Sequence, residues 1–300
     1  MIDQEVIEQE EPAAAVQEFP LRRRLPWPML LVAGLFVIVA FLSWYGPWFG
    51  RRLSDSQIET YLNDRDKPRN AQHALSVIAS RIEEGDPSIS RWYPSVIASS
   101  AHTTPQVRMS AAWAMGQDPS CKEFHSALLP LLRDSDPGVR HNAALSLVSF
   151  GDPAGRTELA GMLESQTVRA PASGTAELII KTEGVQVAPG APLVRIKQDD
   201  GQTREIHAIE EARVELVKVT NGARVEDGTE LIVLAPSTDR AWEALRALWA
   251  VGGQDDIRLV ERYTRPFAGL PDRIQQQALL TIEAIRTRSQ KSTVNNGNPE

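Results

Sequence analysis

A duplicated stretch of β-rich sequence constrains the fold of this chain more than any other feature. The copies run over 174–196 and 212–234, at a constant step of 38 residues. Each copy contains a β-rich segment, a turn ending in glycine, a few extended residues, a second glycine turn and another β-rich segment. A repeat of this length predicts a repeated supersecondary unit. The identical pairs are Glu177/Glu215, Leu178/Leu216, Thr182/Thr220, Gly184/Gly222, Val187/Val225, Gly190/Gly228 and Leu193/Leu231.

This pattern resembles the biotinyl/lipoyl-like barrel-sandwich domain. The short motifs that match lie at 170–175, 182–184 and 187–190 in the first half, and at 220–222 and 225–229 in the second. The resemblance implies an all-β barrel-sandwich hybrid domain over 168–236, with two quasi-symmetric halves.

Carrier members of that family present a modifiable lysine in the hairpin between the halves, in a Met-Lys-Met or Asp-Lys-Ala setting. Here the connection is 196–206, and Lys197 lacks such neighbours. We therefore interpret Lys197 as an unmodified, solvated hairpin lysine and expect no cofactor. The unmodified domain of HlyD-type membrane-fusion proteins is the closer match, although their long helical hairpin and additional β domains have no counterpart in this sequence.

The N-terminal part of the chain predicts a membrane anchor. Residues 1–24 begin acidic and poor in large apolar side chains, which predicts a disordered tail. Residues 25–50 carry no charge and have aromatic residues near both ends. Their length matches the roughly 20 residues that a transmembrane helix requires. A cleaved signal peptide is the alternative, but the hydrophilic lead is long for one and no clear small-residue cleavage site follows.

Arginines on either side of this span predict its orientation. Three arginines precede it at 22–24 and two follow it at 51–52. The positive-inside rule therefore favours a single-pass protein of the cell (inner) membrane, with the bulk of the chain on the extracytoplasmic, periplasmic side.

Between 54 and 164 the apolar pattern becomes helical. Two segments match at a step of 32 residues, through Pro105/Pro137, Val107/Val139, Arg108/Arg140, Ala111/Ala143 and Ala112/Ala144. The proline suits a first helical turn, and the valine and alanines form one apolar stripe. These two segments resemble HEAT repeats, and the resemblance implies an α-solenoid of helix pairs.

The helical pattern is interrupted by the β-rich stretch and then resumes. A helix over 156–163 has no partner following it, whereas a helix over 239–249 has none preceding it. The economical interpretation is one solenoid of four or five helix pairs, built from 54–164 and 238–288, with 168–236 inserted inside one pair. Residues 289–300 are predicted to be a disordered tail.

Candidate site residues fall into two groups. The resemblance implies structural roles for Pro105, Arg108, Asp136, Pro137 and Arg140, because such arginines and aspartates pair between neighbouring HEAT repeats. The candidate protein interface comprises Arg91, Trp92, Tyr93 and His141, since aromatic residues and arginine dominate interface hot spots. Helical spacing also predicts a set of aromatic core residues, among which the pair beside Arg91 is the least core-like: Trp92, Tyr93, Trp113, Trp242 and Trp249.

No pattern of catalytic, cofactor-binding or metal-ligating residues is evident. The net charge of −7 argues against nucleic acid, and five scattered histidines with one cysteine give no metal-site spacing. We therefore expect no enzyme activity and no small-molecule substrate. The leading hypothesis is a membrane-anchored scaffold that binds unidentified protein partners. The alternatives are an adaptor subunit of an export or efflux complex and a biotin- or lipoyl-type carrier acting through Lys197.

Overall fold

The computed structural model describes residues 53–64 and 66–296. The predicted tail 1–24 and the predicted span 25–50 lie outside this part of the chain. Within the described part, no helix is both long and apolar enough to cross a membrane. The α-helices there are α1 (Asp55–Leu62), α2 (Pro68–Glu83), α3 (Tyr93–Ser99), α4 (Pro105–Met115), α5 (Lys122–Leu131), α6 (Pro137–Ser149), α7 (Arg156–Gly161), α8 (Thr238–Val251), α9 (Ile257–Glu261) and α10 (Asp272–Asn296).

These helices form five consecutive pairs, and the second helices α2, α4, α6, α8 and α10 pack on one another in that order. Small side chains allow this close packing. The buried Ser146 hydroxyl on α6 donates to the Ala112 carbonyl of α4 at 2.9 Å. The buried Thr281 hydroxyl of α10 donates to the Leu245 carbonyl of α8 at the same distance. The described helices therefore stack as a helical-repeat body.

Local sequence signals fix where the second helices begin. Pro105 and Pro137 occupy the first turns of α4 and α6, where a missing N–H costs no helical hydrogen bond. Asp136 caps α6, because its carboxylate accepts from the backbone N–H groups of Gly138 and Val139.

Ion pairs link the second helices α4 and α6 to the repeat that follows each of them. Both Nε and Nη2 of Arg108 donate to the two carboxylate oxygens of Asp134, each at 2.7 Å, and both side chains are largely buried. Arg140 contacts Glu158 at 3.2 Å and donates to the Asp134 carbonyl at 3.0 Å. The partner of Arg108 is thus Asp134, whereas Asp136 serves as the helix cap.

The β-rich stretch forms two four-stranded antiparallel sheets. Their strand orders are β1-β8-β6-β3 and β5-β4-β2-β7. Each sheet takes its short outer strand, β3 or β7, from the other half of the duplication, so the two halves are interlocked. The strands are β1 (Gln166–Arg169), β2 (Gly174–Leu178), β3 (Gln186–Val187), β4 (Pro192–Lys197), β5 (Thr203–His207), β6 (Ala212–Val217), β7 (Arg224–Val225) and β8 (Glu230–Pro236).

The two copies of the duplicated sequence make equivalent backbone hydrogen bonds. The N–H of Gly184 donates to the Val214 carbonyl at 2.7 Å, and the N–H of Gly222 donates to the Ala176 carbonyl at 2.7 Å. These two glycines have φ angles of 83° and 84°, a region that residues with a Cβ rarely adopt. The repeated glycines therefore mark positions where the turn itself requires glycine.

The β domain lies between the two helices of the fourth pair. Its first and last strands pair antiparallel, with Gln166 opposite Leu234, so the chain leaves and re-enters the solenoid at neighbouring points. Helix α7 then packs on α8, and Leu159 of α7, Leu245 of α8 and Leu163 just after α7 lie in one core.

One arginine of the β domain is buried against the last helix pair. Arg213 on β6 is 1 % exposed, and its guanidinium lies 4.4 Å from the centre of the Phe267 ring. Its Nη1 donates to the Ala268 carbonyl at 2.5 Å, while its Nε has no hydrogen-bond partner among the described residues. Burial lowers the pKa of Arg213. The β domain is therefore fastened to the loop between α9 and α10.

The last helix extends past the boundary that the sequence suggested. Helix α10 continues to Asn296, whereas the pattern predicted a disordered tail from 289. Arg288 explains part of the difference. It donates to the carbonyls of Leu248, Trp249 and Gly252 at the end of α8. These contacts hold the C-terminal half of α10 against the preceding pair.

We predict that Gly184→Ala destabilises the protein more than Gly222→Ala. Both substitutions place a Cβ at the same positive φ, but only at Gly184 would the new atom lie 3.0 Å from the backbone of Ala268 and Gly269. The extra cost should be about 1–3 kcal/mol. Urea denaturation of the full-length protein in detergent measures the difference, and equal losses for the two variants would contradict the described docking of the β domain.

We also predict that Asp134→Asn costs about 2–4 kcal/mol of unfolding free energy at pH 7, because Arg108 loses its charged partner while remaining largely buried. Arg108 lowers the pKa of Asp134 below its ordinary value of 3.8. The stabilisation is therefore present above that value and is lost as the pH falls through the lowered pKa.

The measurement for this second prediction is urea denaturation between neutral and acidic pH. The difference between wild type and Asp134→Asn should shrink below about pH 4. Asp227→Asn is the control, because Asp227 is an exposed turn residue with no ion pair in the described part of the chain. A difference that stays constant into acid would show that the ion pair with Arg108 is not its source.

Candidate functional site

The second helices line a groove made of two adjoining cavities. The first, of about 480 Å³, lies between α4, α6 and the start of α8, and the second, of about 660 Å³, lies between α6, α8 and α10. Leu145 and Glu243 line both cavities, so the two form one surface. We call this surface the second-helix groove; the lining residues used below are Trp113, His141, Leu145, Val148, Asp239, Arg240, Glu243, Arg246, Trp249 and Leu280.

Large apolar side chains are exposed along this groove. Trp113 is 43 % exposed, Trp249 is 51 % exposed and Leu280 is 52 % exposed. Leu145 and Val148 are partly buried beside them. A run of exposed large apolar residues is typical of a surface that binds another protein.

The prediction that Trp113 and Trp249 are core residues is therefore wrong. The buried stripe of α4 passes through Val107, Ala111 and Met115. Trp113 falls on the opposite side of the helix at 100° per residue, so it points away from the core. Trp249 follows the buried Leu248 on α8 and is also exposed. Comparing each tryptophan with the apolar stripe of its own helix would have revealed this for Trp113.

Most charges on the groove already have partners. Arg240 pairs with Glu210 of the β domain at 2.5 Å, and Asp239 pairs with Arg273 at 3.3 Å. His141 lies 3.2 Å from Glu158, and burial lowers the pKa of its imidazole. Neither Glu243 nor Arg246 has an ion pair among the described residues.

The sequence-predicted interface residues lie on different elements. Arg91 forms an ion pair with Asp55 and stacks on the ring of Trp92, with 5.4 Å from its guanidinium to the ring centre. Tyr93 donates its hydroxyl to Asp118 at 2.7 Å, and burial raises the pKa of that hydroxyl. His141 instead lies on α6, in the second-helix groove.

The lysine of the β hairpin is part of a strand. Lys197 is the last residue of β4, where it pairs with Thr203, and its Nζ lies 3.2 Å from Glu177. The turn itself is closed by a bond from the Gln198 N–H to the Gln202 carbonyl at 2.9 Å. The structure therefore places Lys197 beside the turn and next to a carboxylate.

In the part of the chain that the structure describes, no group of three or more His, Cys, Asp or Glu side chains could hold a metal ion. The five positions predicted as structural repeat positions, Pro105, Arg108, Asp136, Pro137 and Arg140, make the helix-start and inter-repeat contacts described above.

A recurrent Asp-Pro dipeptide also makes contacts between repeats, and the sequence interpretation above did not include it. It occurs at Asp86, Asp118 and Asp152, each before the first helix of a pair. Each aspartate accepts a backbone N–H two residues onward. Asp118 and Asp152 also contact the preceding pair, through Tyr93 and through His125 at 2.6 Å. The regular spacing of this Asp-Pro dipeptide along the sequence was the signal that could have predicted this second set of inter-repeat contacts.

Comparison with known proteins gives a match to a segment that is mostly helical. A family model of HEAT repeats matches residues 94–176, from α3 through α7 and into β2. No curated protein matches the chain. The match agrees with the stacked helix pairs, and HEAT repeats are typical of scaffolds that mediate protein–protein contacts. Residues 94–176 are therefore similar to HEAT repeats, a similarity that suggests a role in protein interaction.

Proposed function

We propose that this protein is a non-enzymatic, membrane-anchored scaffold whose second-helix groove binds a segment of a protein partner. The observation that carries the proposal is the exposure of Trp113, Trp249 and Leu280 along one continuous groove. Exposing these side chains to water is unfavourable, and a partner that covers them would remove that cost.

The stacking of the repeats supports a fixed docking surface. The groove walls belong to second helices that contact one another through buried hydroxyl–carbonyl hydrogen bonds and a shared core. A preformed groove loses little conformational entropy on binding, which favours recognition by a partner segment.

The β domain is proposed as a second docking surface. It is fastened to the solenoid by Arg213, and its Ile209 is 90 % exposed. The resemblance to HlyD-type domains supports an alternative form of the function, in which the protein is an adaptor subunit of an export or efflux complex. In that form the β domain would contact copies of itself or a transporter.

We predict that a photo-reactive amino acid in place of Leu280 crosslinks the protein to a partner in native membranes. The same replacement at Leu129, an exposed apolar residue of the first helix α5, should give much less product because it lies outside the groove. Replacement of Ile209 tests the β domain. Crosslinked products from position 129 or 209 without any from position 280 would contradict docking in the groove. Crosslinks between two copies of this protein through position 209 would favour the adaptor.

We also predict an N-in, C-out topology. The motivation is the arginine triplet before the uncharged span 25–50. Alkaline phosphatase fused after Glu300 should be active, whereas a reporter active only in the cytoplasm should be silent. Activity of the cytoplasmic reporter alone would place the scaffold on the other side of the membrane.

A further inference from the structure

Glu243 holds a special position in the second-helix groove. It lies on α8 and lines both cavities, at the point where the first meets the second. Glu243 is exposed, but desolvation by its surroundings raises the pKa of its carboxyl, and the nearby Asp239 raises it further while Arg240 lowers it. The carboxylate is thus less favourable here than in open water, and a cation placed against it would be stabilising.

The charges around Glu243 do not supply that cation. Arg240 lies three residues before Glu243 on the same helix and lowers its pKa, but its ion pair is with Glu210, at 2.5 Å, and not with Glu243. Arg273 pairs with Asp239 and lies over the Trp242 ring, 5.5 Å from its centre. Among the described residues no Lys, Arg or His lies within ion-pair distance of Glu243. The groove therefore offers one carboxylate that a partner can neutralise.

Apolar side chains flank this carboxylate on both sides. Trp113 lines the first cavity, and Trp249 and Leu280 line the second. An exposed indole can also attract a cation through its π face. A segment lying along the groove would meet an aromatic residue, then a carboxylate, then an apolar surface.

We propose that the groove recognises a protein segment that carries a lysine or arginine next to large apolar side chains, with Glu243 as the acceptor for the basic group. This rests on the proposed docking function and adds the chemistry of the partner. The basic group pairs with Glu243 near Trp113, while the apolar side chains cover Leu145, Val148, Trp249 and Leu280.

Arg246 sets the direction of the segment. It also lines the second cavity and has no ion pair in the described part of the chain, so a second basic residue at that end would be repelled. An acidic or neutral residue fits there instead. The charge order along the partner is therefore basic at the first cavity, then apolar toward the second.

The test is the crosslinking of the full-length chain in native membranes with the photo-reactive amino acid at Leu280, now combined with charge variants. Glu243→Gln should lower the yield of the partner product about five- to tenfold, and Glu243→Lys should lower it further by repulsion. Glu59→Gln is the matched control, because Glu59 is an exposed residue of the first helix α1 that lines neither cavity. It should leave the yield within about twofold. Mass spectrometry of the product should identify a partner segment with a basic residue beside apolar ones.

The outcomes separate this inference from the function on which it rests. A wild-type product that survives Glu243→Gln unchanged, or a captured segment without lysine or arginine, would overturn the inference and leave groove docking standing. Absence of a wild-type product from Leu280 would overturn both. The melting temperature of Glu243→Gln should match wild type, because Glu243 forms no described ion pair, so a loss of yield is not a loss of folding.

Discussion

The antiparallel pairing of β1 with β8 is the contact on which the rest of the architecture depends. It brings Gln166 and Leu234 together, so that some seventy residues of β structure leave the solenoid and return to it at one place. Without this pairing α7 and α8 would be held together only by a long flexible loop, whose closure has an entropic cost. With it, Leu159, Leu163 and Leu245 share a core and the helix stack continues through the insertion.

A second constraint makes the β domain more than a passive insertion. Arg213 is almost completely buried, and its guanidinium is held by the ring of Phe267 and the carbonyl of Ala268. A buried arginine with incomplete hydrogen bonding is costly unless its surroundings are fixed. Gly184 and Gly269 fix them, because their backbones lie so close together that a Cβ on Gly269 would collide and a Cβ on Gly184 would be in tight contact. The two parts of the described chain are therefore joined by a specific interface as well as by the chain itself.

The groove follows from the same stacking. Each second helix uses one face for the neighbouring repeats and leaves another face free, and the free faces of α4, α6, α8 and α10 lie side by side. Charged side chains that line this surface pair with neighbouring elements, as Arg240 does with Glu210 of the β domain. Arg240 therefore has its ion pair with the inserted domain, and Glu243 has none in the described part of the chain, which links the β domain to the chemistry of the groove.

The sequence by itself determined the elements. Glycines at a step of 38 residues indicated which turns require positive φ, and prolines with alanine stripes at a step of 32 indicated where second helices begin and which face they bury. These features are local, so propensity and periodicity reveal them. Four features were decided only by tertiary structure: the acceptor of Arg108, the exposure of Trp249, the burial of Arg213 and the extension of α10 through Arg288. Each depends on which distant residue lies opposite, and no periodicity within a single helix or strand contains that information.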